Sequence, residues 1–349
     1  MASDLNKEKR LESHFLGYGA DDPFKDHAEF VSKKINSVHT NHEMKLPNFE
    51  EIVPLMLSIF DEPFGDYSAI PSHEIYKKVS KFNKVVISGD GADEMFAGYK
   101  DSRLFYLKSF IPSFNFKNLK FLSICYRLLD SKYYFFRILS YFLLILFGND
   151  GILSMATYKG GWNLYYRKKY MTSEGYKLIG GEKTELKELM SFNNSGGDSL
   201  ERYLNYDLKR LSFDFLVKVD RTSMKNSLEV RSPFLDKNFV EGLFPVNPNH
   251  LFSFFSNKKR LKELLGKYGL QKIGRTSKQG FTPPLEKWIT SSESKKFLMK
   301  IFEDQDSIIS QLFKLDKLKK ILLKDKSIIK NKARLWFLMI LYVWQKENF

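Results

Sequence analysis

Three acids, Asp90, Asp93 and Glu94, crowd one short stretch that runs Lys84-Val85-Val86-Ile87-Ser88-Gly89-Asp90-Gly91-Ala92-Asp93-Glu94-Met95-Phe96-Ala97-Gly98-Tyr99. Gly89 and Gly91 would let backbone amides approach a phosphate. The acids would repel that phosphate, so the combination calls for a hard cation such as Mg²⁺ held between carboxylate and phosphate oxygens. The same residues also fit a helix start, with Asp90 as N-cap and Asp93 and Glu94 in the first turn facing the helix dipole. A second set of charges lies far along the chain. Lys218, Arg221 and Lys225 stand at i, i+3 and i+7, sharing one helix face that could offer a positive stripe to phosphate or carboxylate. An Asp214 to Lys218 surface pair at i, i+4 is the plainer reading of the first of them.

The elements that would position these groups follow from local pattern. Val85 to Ile87, short and β-branched, reads as a strand buried on both faces of a parallel sheet, running into a strand-loop-helix corner at its carboxyl end. Residues 1–12 are polar and read as a disordered lead-in. Phe15-Leu16-Gly17-Tyr18 reads as a strand and Asp26 to Ile35 as a helix with Phe30, Val31 and Ile35 on one face. Asn41-His42-Glu43 reads as a turn into another strand, with His42 a surface histidine. Phe49 to Phe60 is a further amphipathic helix. Asp61 to Pro71, with two prolines and a glycine, is a loop, and the next helix, to about Ser80, returns to the Val85 strand as a right-handed βαβ unit. The expected architecture is α/β, with a parallel-sheet core over 13–100, a large helical insertion over 101–199 and a helical carboxy-terminal part over 200–349.

Composition narrows the function classes. The net charge of +15 would suit nucleic acid, an anionic membrane surface or a polyphosphate nucleotide, but it is carried by dispersed lysine without a basic tail, which reads as a solvated surface and argues against nucleic acid. The one cysteine, Cys125, excludes an intramolecular disulfide framework and fits a reducing cytoplasm. Met1-Ala2-Ser3-Asp4 opens no signal peptide. The most apolar run, Tyr133 to Phe147, is interrupted by Arg137 and falls short of the roughly 20 residues that cross a bilayer, so it reads as a buried or interfacial helix rather than a membrane span.

Ser88 to Tyr99, S-G-D-G-A-D-E-x-F-x-G-Y, resembles the second signature of the asparagine synthetase family, whose synthetase domain has the ATP-pyrophosphatase (adenine nucleotide alpha hydrolase-like) fold. Asp61 to Pro71 resembles the family's D-E-P-x-x-D-x-S-A-x-P run, and Leu216 to Asp236 its L-x-K-x-D-R-x-S-M-x-x-S-x-E-x-R-x-P-F-L-D block. Arg275 to Trp288 is similar to its R-x-K-x-G-F-x-x-P-x-x-x-W loop, except that Arg275 precedes Lys278 by three residues instead of two. Asn41-His42-Glu43 stands where the family usually has His-His-Glu. The resemblance implies that ATP activates a side-chain carboxylate as an acyl-adenylate, that pyrophosphate leaves, and that ammonia displaces AMP. It implies ATP and Mg²⁺, with aspartate the leading acceptor. By the same resemblance Asp93 is a metal ligand, Asp90 lies near the reacting acyl group, and Lys278 stabilises the adenylation transition state. Ser88, Gly89, Gly91, Lys218 and Arg221 would contact nucleotide, supported by Glu94, Tyr99, Asp220, Glu229 and Arg231.

Two family features have no counterpart in the sequence. The phosphate-cradling S-G-G-x-D-S loop is absent from the fourteen residues before Phe15. Ser195-Gly196-Gly197-Asp198-Ser199 echoes it but is one residue short and follows a polar segment, so it reads as a surface loop. The amino-terminal glutaminase domain is also missing. The expectation is therefore a truncated or split chain, with the loop encoded upstream of Met1 or carried by a glutaminase or loop-bearing partner chain. Two alternatives stand beside it: a ligase for another carboxylate, such as a sugar uronic acid or peptide, and a non-catalytic remnant or partner subunit.

Overall fold

The computed structural model describes residues 9–19, 22–44, 49–111, 119–129, 131, 133–151, 153, 162–181, 183, 187, 196–213, 215–243, 245–276 and 280–349. The chain divides into two compact units. The first comprises Met1–Asp61, Asp66–Ala92 and Ser212–Pro284, and the second Glu62–Gly65, Asp93–Leu211 and Leu285–Phe349.

In the first unit, strand β1 (Glu12–Gly17) and strand β2 (Val38–Glu43) pair in parallel, with Glu12 opposite Val38 and Gly17 opposite Glu43. Helix α1 (Lys25–Lys34) is their crossover. Asn41, His42 and Glu43 thus lie within β2, beyond the turn that sequence pattern placed there. The true turn is Asn36, at φ +52°, just after α1. In-register pairing aligns histidines. His14 Nδ1 lies 3.2 Å from His42 Nε2, and His14 Nε2 lies 3.0 Å from Asn83 Oδ1, so His42 is half-buried instead of a plain surface group.

Helix α2 (Phe49–Ile59) buries Ile52, Val53, Met56 and Ile59, spaced for one helical face. Helix α3 (Ala69–Val79) begins earlier than the two prolines suggested. Pro71 falls in its first turn, where the missing N–H costs nothing. Strand β3 (Val85–Ile87) pairs in parallel with strand β4 (Glu229–Arg231), Val86 opposite Val230. Among the described residues β3 has no second neighbour and does not join the β1–β2 sheet. Two expectations change here. The helix before β3 does not close a βαβ unit with β2, and β3 is not buried on both faces, since Val85 is 45% and Ile87 66% exposed. A strand is buried twice only when layers cover both faces, and a two-stranded ribbon has too few. Helix α4 (Phe215–Met224) leads into β4 and buries Val219, Thr222 and Ser223.

Two histidines make this unit acid-sensitive. The His42 pKa is held below its usual value by burial and by His14, Lys78 and His39, and the His73 pKa is lowered by burial and Lys77. His73 Nδ1 accepts from Asn226 Nδ2 at 3.0 Å, while the same amide donates to Thr222 O at 2.9 Å, which fixes the amide's orientation. A protonated Nδ1 would face a donor. Because the unfolded chain then binds more protons, stability contributed by these groups is present above pH 6.5 and is lost as pH falls below it through the folded-state values. Urea unfolding at pH 7.5 and at pH 5.5 should show the lower midpoint at pH 5.5, and His73→Gln should narrow the gap.

The second unit is helical in all its larger elements. Its core is the closing helix Lys332–Asn348, with Leu335, Trp336, Leu338, Met339 and Ile340 buried, packed by Leu285–Ile289, Ser292–Glu303 and Ile308–Leu312. Within the aromatic, basic region lie the helices Ser102–Lys108, Leu119–Leu129 and Tyr134–Phe147. Cys125 is buried there, its thiol pushed up to about 11 by desolvation. Gly197 and Asp198 prove to be a helix start. The Asp198 carboxylate accepts from Glu201 N at 2.9 Å, and Asp198 N donates to Glu201 Oε2 at 3.0 Å, a reciprocal capping box for Ser199–Phe213. That accounts for the glycine-rich sequence without a phosphate. No helix among the described residues is long and apolar enough to cross a membrane.

Candidate active site

The corner after β3 is built by pairing with β4. Glu229 N donates to Lys84 O at 2.9 Å and Ser88 N donates to Arg231 O at 2.9 Å, so the ladder runs to the end of the strand and fixes Ser88 opposite Ser232. Ser88 Oγ then donates to Asp90 Oδ2 at 2.7 Å and lies 2.9 Å from Ser232 Oγ. One hydroxyl thus ties a carboxylate to two separate strands. Asp90 also raises the pKa of Tyr76, whose phenol is pushed up mainly by burial.

Gly91 makes the turn possible. Its φ is +86°, and a Cβ added there would lie 2.4 Å from Leu235 Cδ2. Leu235 belongs to the single 3₁₀ turn Pro233–Leu235 that follows β4. Gly91→Ala should therefore cost about 1–3 kcal/mol through overpacking and a positive φ, read as a lower urea midpoint. Adding Leu235→Ala should recover only the packing part.

Lys218 and Arg221 do share a face, and it turns toward the Asp61–Pro71 run. Lys218 Nζ is buried, 3.1 Å from Asp66 Oδ2 and 2.8 Å from Ser68 Oγ, and sits 3.7 Å from the Phe215 ring centroid. Arg221 meets Asp61 at 2.9 Å, and Lys225 donates to Ser58 O at 2.9 Å. Two of the three cations thus meet the chain's own carboxylates, and the third a backbone carbonyl. The Asp214 reading of Lys218 falls outside the described residues. Asp220 is exposed, and Glu229 and Arg231 pair with each other at 2.7 Å on exposed side chains.

Asp93, Glu94 and Tyr99 belong to the second unit. Asp93 is half-buried in the one-turn helix Ala92–Met95, and Gly98 N donates to its carbonyl at 2.7 Å. Glu94 is buried and accepts from Tyr99 Oη at 2.5 Å. The Tyr99 phenol is pushed far above its usual range by burial and by Glu94, Asp207 and Asp93. Lys278 lies outside the described residues. Sequence reasoning passed over Asp66, Ser68, Tyr76 and Ser232 as site residues. Asp66 and Ser68 were open to view in the Asp61–Pro71 run, as an acid and a hydroxyl two apart before a helix.

A Mg²⁺ ion bound to a nucleotide needs only one or two carboxylates, because phosphate and water supply its other oxygens. Asp93, half-buried, can supply one such carboxylate. Among the described residues no cluster of three or more His, Cys, Asp or Glu would hold a metal without such help.

The asparagine synthase family profile matches residues 6–346. The chain belongs to the asparagine synthase family. Among curated proteins it is 31% identical over 236 residues to a putative glutamine-hydrolysing asparagine synthetase 2 of Methanocaldococcus jannaschii, covering 64% of this chain and 41% of that protein. It is 26% identical over 305 residues to the glutamine-hydrolysing asparagine synthetase 1 of Bacillus subtilis, covering 85% of this chain and 45% of that protein. A putative glutamine-hydrolysing asparagine synthetase of Mycobacterium bovis is 24% identical over 289 residues, 77% of this chain and 40% of that protein. The chain thus spans less than half the length of these relatives.

In this asparagine synthase family chain, the small parallel sheets and the predominance of helix agree with a mixed α/β domain. Sequence blocks more than a hundred residues apart meet in the first unit, as Ser88 with Ser232 and Lys218 with Asp66.

Proposed function

We propose that this chain is the synthetase part of an ATP-dependent amide ligase with an ATP-pyrophosphatase-type core, working in a reducing cytoplasm. The carboxylate acceptor, aspartate in the first instance, attacks the α-phosphorus of ATP. The bond to pyrophosphate breaks and an acyl-adenylate forms. Ammonia then attacks the acyl carbon, loses a proton and expels AMP. The single observation that carries this reading is the Ser88–Asp90–Ser232 corner, a carboxylate held by a hydroxyl at the carboxyl ends of two parallel strands, where α/β proteins bind ligands.

In this reading Ser88, Gly89 and Gly91 present backbone to the nucleotide. With Oδ2 occupied by Ser88, Asp90 Oδ1 orients the incoming ammonia and takes its proton. Asp93 would hold Mg²⁺, which when bound neutralises charge on the departing pyrophosphate. Lys278 would stabilise the adenylation transition state. Lys218 and Arg221 act on the nucleotide side by fixing the Asp61–Pro71 run through Asp66, Ser68 and Asp61. The S-G-G-x-D-S loop is supplied from outside these 349 residues, on an upstream segment or a partner chain, and ammonia is free or delivered by a glutaminase.

Hydroxylamine trapping with ATP tests the acceptor. Aspartyl hydroxamate, formed by the chain together with the loop-bearing segment, supports the proposal. Hydroxamate only from a uronic acid or a peptide carboxylate moves it to another acceptor, and no pyrophosphate with any acceptor favours a non-catalytic subunit.

A further inference from the structure

The helix Tyr134–Phe147 carries Arg137 as its one charged residue. Ser140 and Leu144, a turn apart, are its buried positions, and Ser140 Oγ donates to Cys125 O at 2.9 Å, which fixes that side against the helix Leu119–Leu129. Among the described residues, nothing buries the opposite side. Phe135, Ile138 and Phe142, at i, i+3 and i+7, are 69%, 50% and 57% exposed, and Tyr133 and Tyr134 at the helix start are exposed as well. Scattered exposed apolar residues need no explanation, but a contiguous helical stripe of this size marks an interaction surface.

Charge selects the occupant. Between Asp101 and Asp150 the sequence has one acid, Asp130, against Arg103, Lys108, Lys117, Lys120, Arg127, Lys132 and Arg137. Of these, Lys108 is buried and Arg103, Arg127 and Arg137 are exposed. Tyrosine and phenylalanine on an exposed apolar face, in a region rich in cations and almost without acids, match the interface of an anionic bilayer. A protein groove would supply the apolar match but would not require the surplus of positive charge. At 14 residues the helix is too short to span, which leaves it lying in the headgroup region.

We propose that the Tyr134–Phe147 helix docks this chain reversibly onto an anionic lipid surface, with Phe135, Ile138 and Phe142 entering the acyl boundary and the surplus of positive charge in the Asp101–Asp150 region attracting lipid phosphates. The reading is independent of the catalytic proposal, since none of these residues belongs to that site.

Vesicle co-sedimentation of the whole chain tests it, using phosphatidylcholine alone and phosphatidylcholine with phosphatidylglycerol. The protein should bind the mixed vesicles, bind the neutral ones at least tenfold more weakly, and lose most binding in 0.5 M salt, as expected for roughly fivefold per cation at the surface. Phe135→Glu with Phe142→Glu should lower partitioning at least tenfold with an unchanged circular dichroism spectrum, because both side chains are exposed. Phe142→Trp should shift its emission to shorter wavelength on adding mixed vesicles. Equal binding by the double variant, or no blue shift, would overturn the proposal. So would a vesicle-indifferent wild type that self-associates on sedimentation and becomes monomeric in the double variant, since the stripe would then pair with a second copy.

Discussion

Asp90→Asn is expected to lower ammonia-dependent amide formation about 10³-fold, within the range for removing a positioned proton acceptor. The substitution keeps the shape of the side chain, and Ser88 Oγ can still donate to the amide oxygen, so the corner should remain intact. What disappears is the charge that orients ammonia and takes its proton. The loss should fall on kcat and leave the KM for ATP nearly unchanged, because the nucleotide is met by backbone in this account. Ser88→Ala should cost less, about tenfold, since Asp90 would keep its charge and lose only one tether. Steady-state release of pyrophosphate and amide by the variants measures both effects. A variant Asp90→Asn with normal turnover would remove the assignment.

Lys218→Met is expected to destabilise the first unit by about 2–3 kcal/mol and to loosen the Asp61–Pro71 run. The ammonium is buried, and its removal leaves Ser68 without its donor and Asp66 without its counter-ion. Asp66 is partly exposed and can recover water, which keeps the cost at or below the lower end of the roughly 3–5 kcal/mol range for broken buried pairs. Hydrogen exchange locates the effect. Amides tied to this run, such as Ser68 N on Asp66 Oδ1 and Ala69 N on Asp66 O, should exchange faster, while those of β1 and β2 should not. In the double variant with Asp66→Asn the two losses should be less than additive, because each removes the same ion pair.

These two residues also show where sequence reading succeeds and where it stops. The strand, glycines and acids from Val85 to Glu94 form a local pattern, so the corner was legible without long-range information. Its closure by Ser232, 144 residues away, was not, because a hydroxyl tether depends on strand register that only folding supplies. Lys218 was readable as a helix-face cation. Its burial against Asp66, 152 residues distant, was not, and it takes this one cation out of the exposed part of the stripe. Val85 and Ile87 were misread for a related reason: β-branching reports strand tendency, while burial depends on how many neighbours the strand finds. Tyr133 to Phe147 was left between buried and interfacial because hydropathy counts apolar residues without saying which side a partner helix covers.

The central claim is that an acceptor carboxylate becomes covalently joined to the α-phosphorus of ATP. It is tested most directly by supplying aspartate labelled with ¹⁸O in its side-chain carboxylate, together with ATP, ammonia and the loop-bearing segment, and locating the label by mass spectrometry. One ¹⁸O atom in the phosphoryl group of AMP, with none in pyrophosphate, is the expected outcome. ATP cleavage that leaves AMP unlabelled, or that places the label in inorganic phosphate beside ADP, would contradict it.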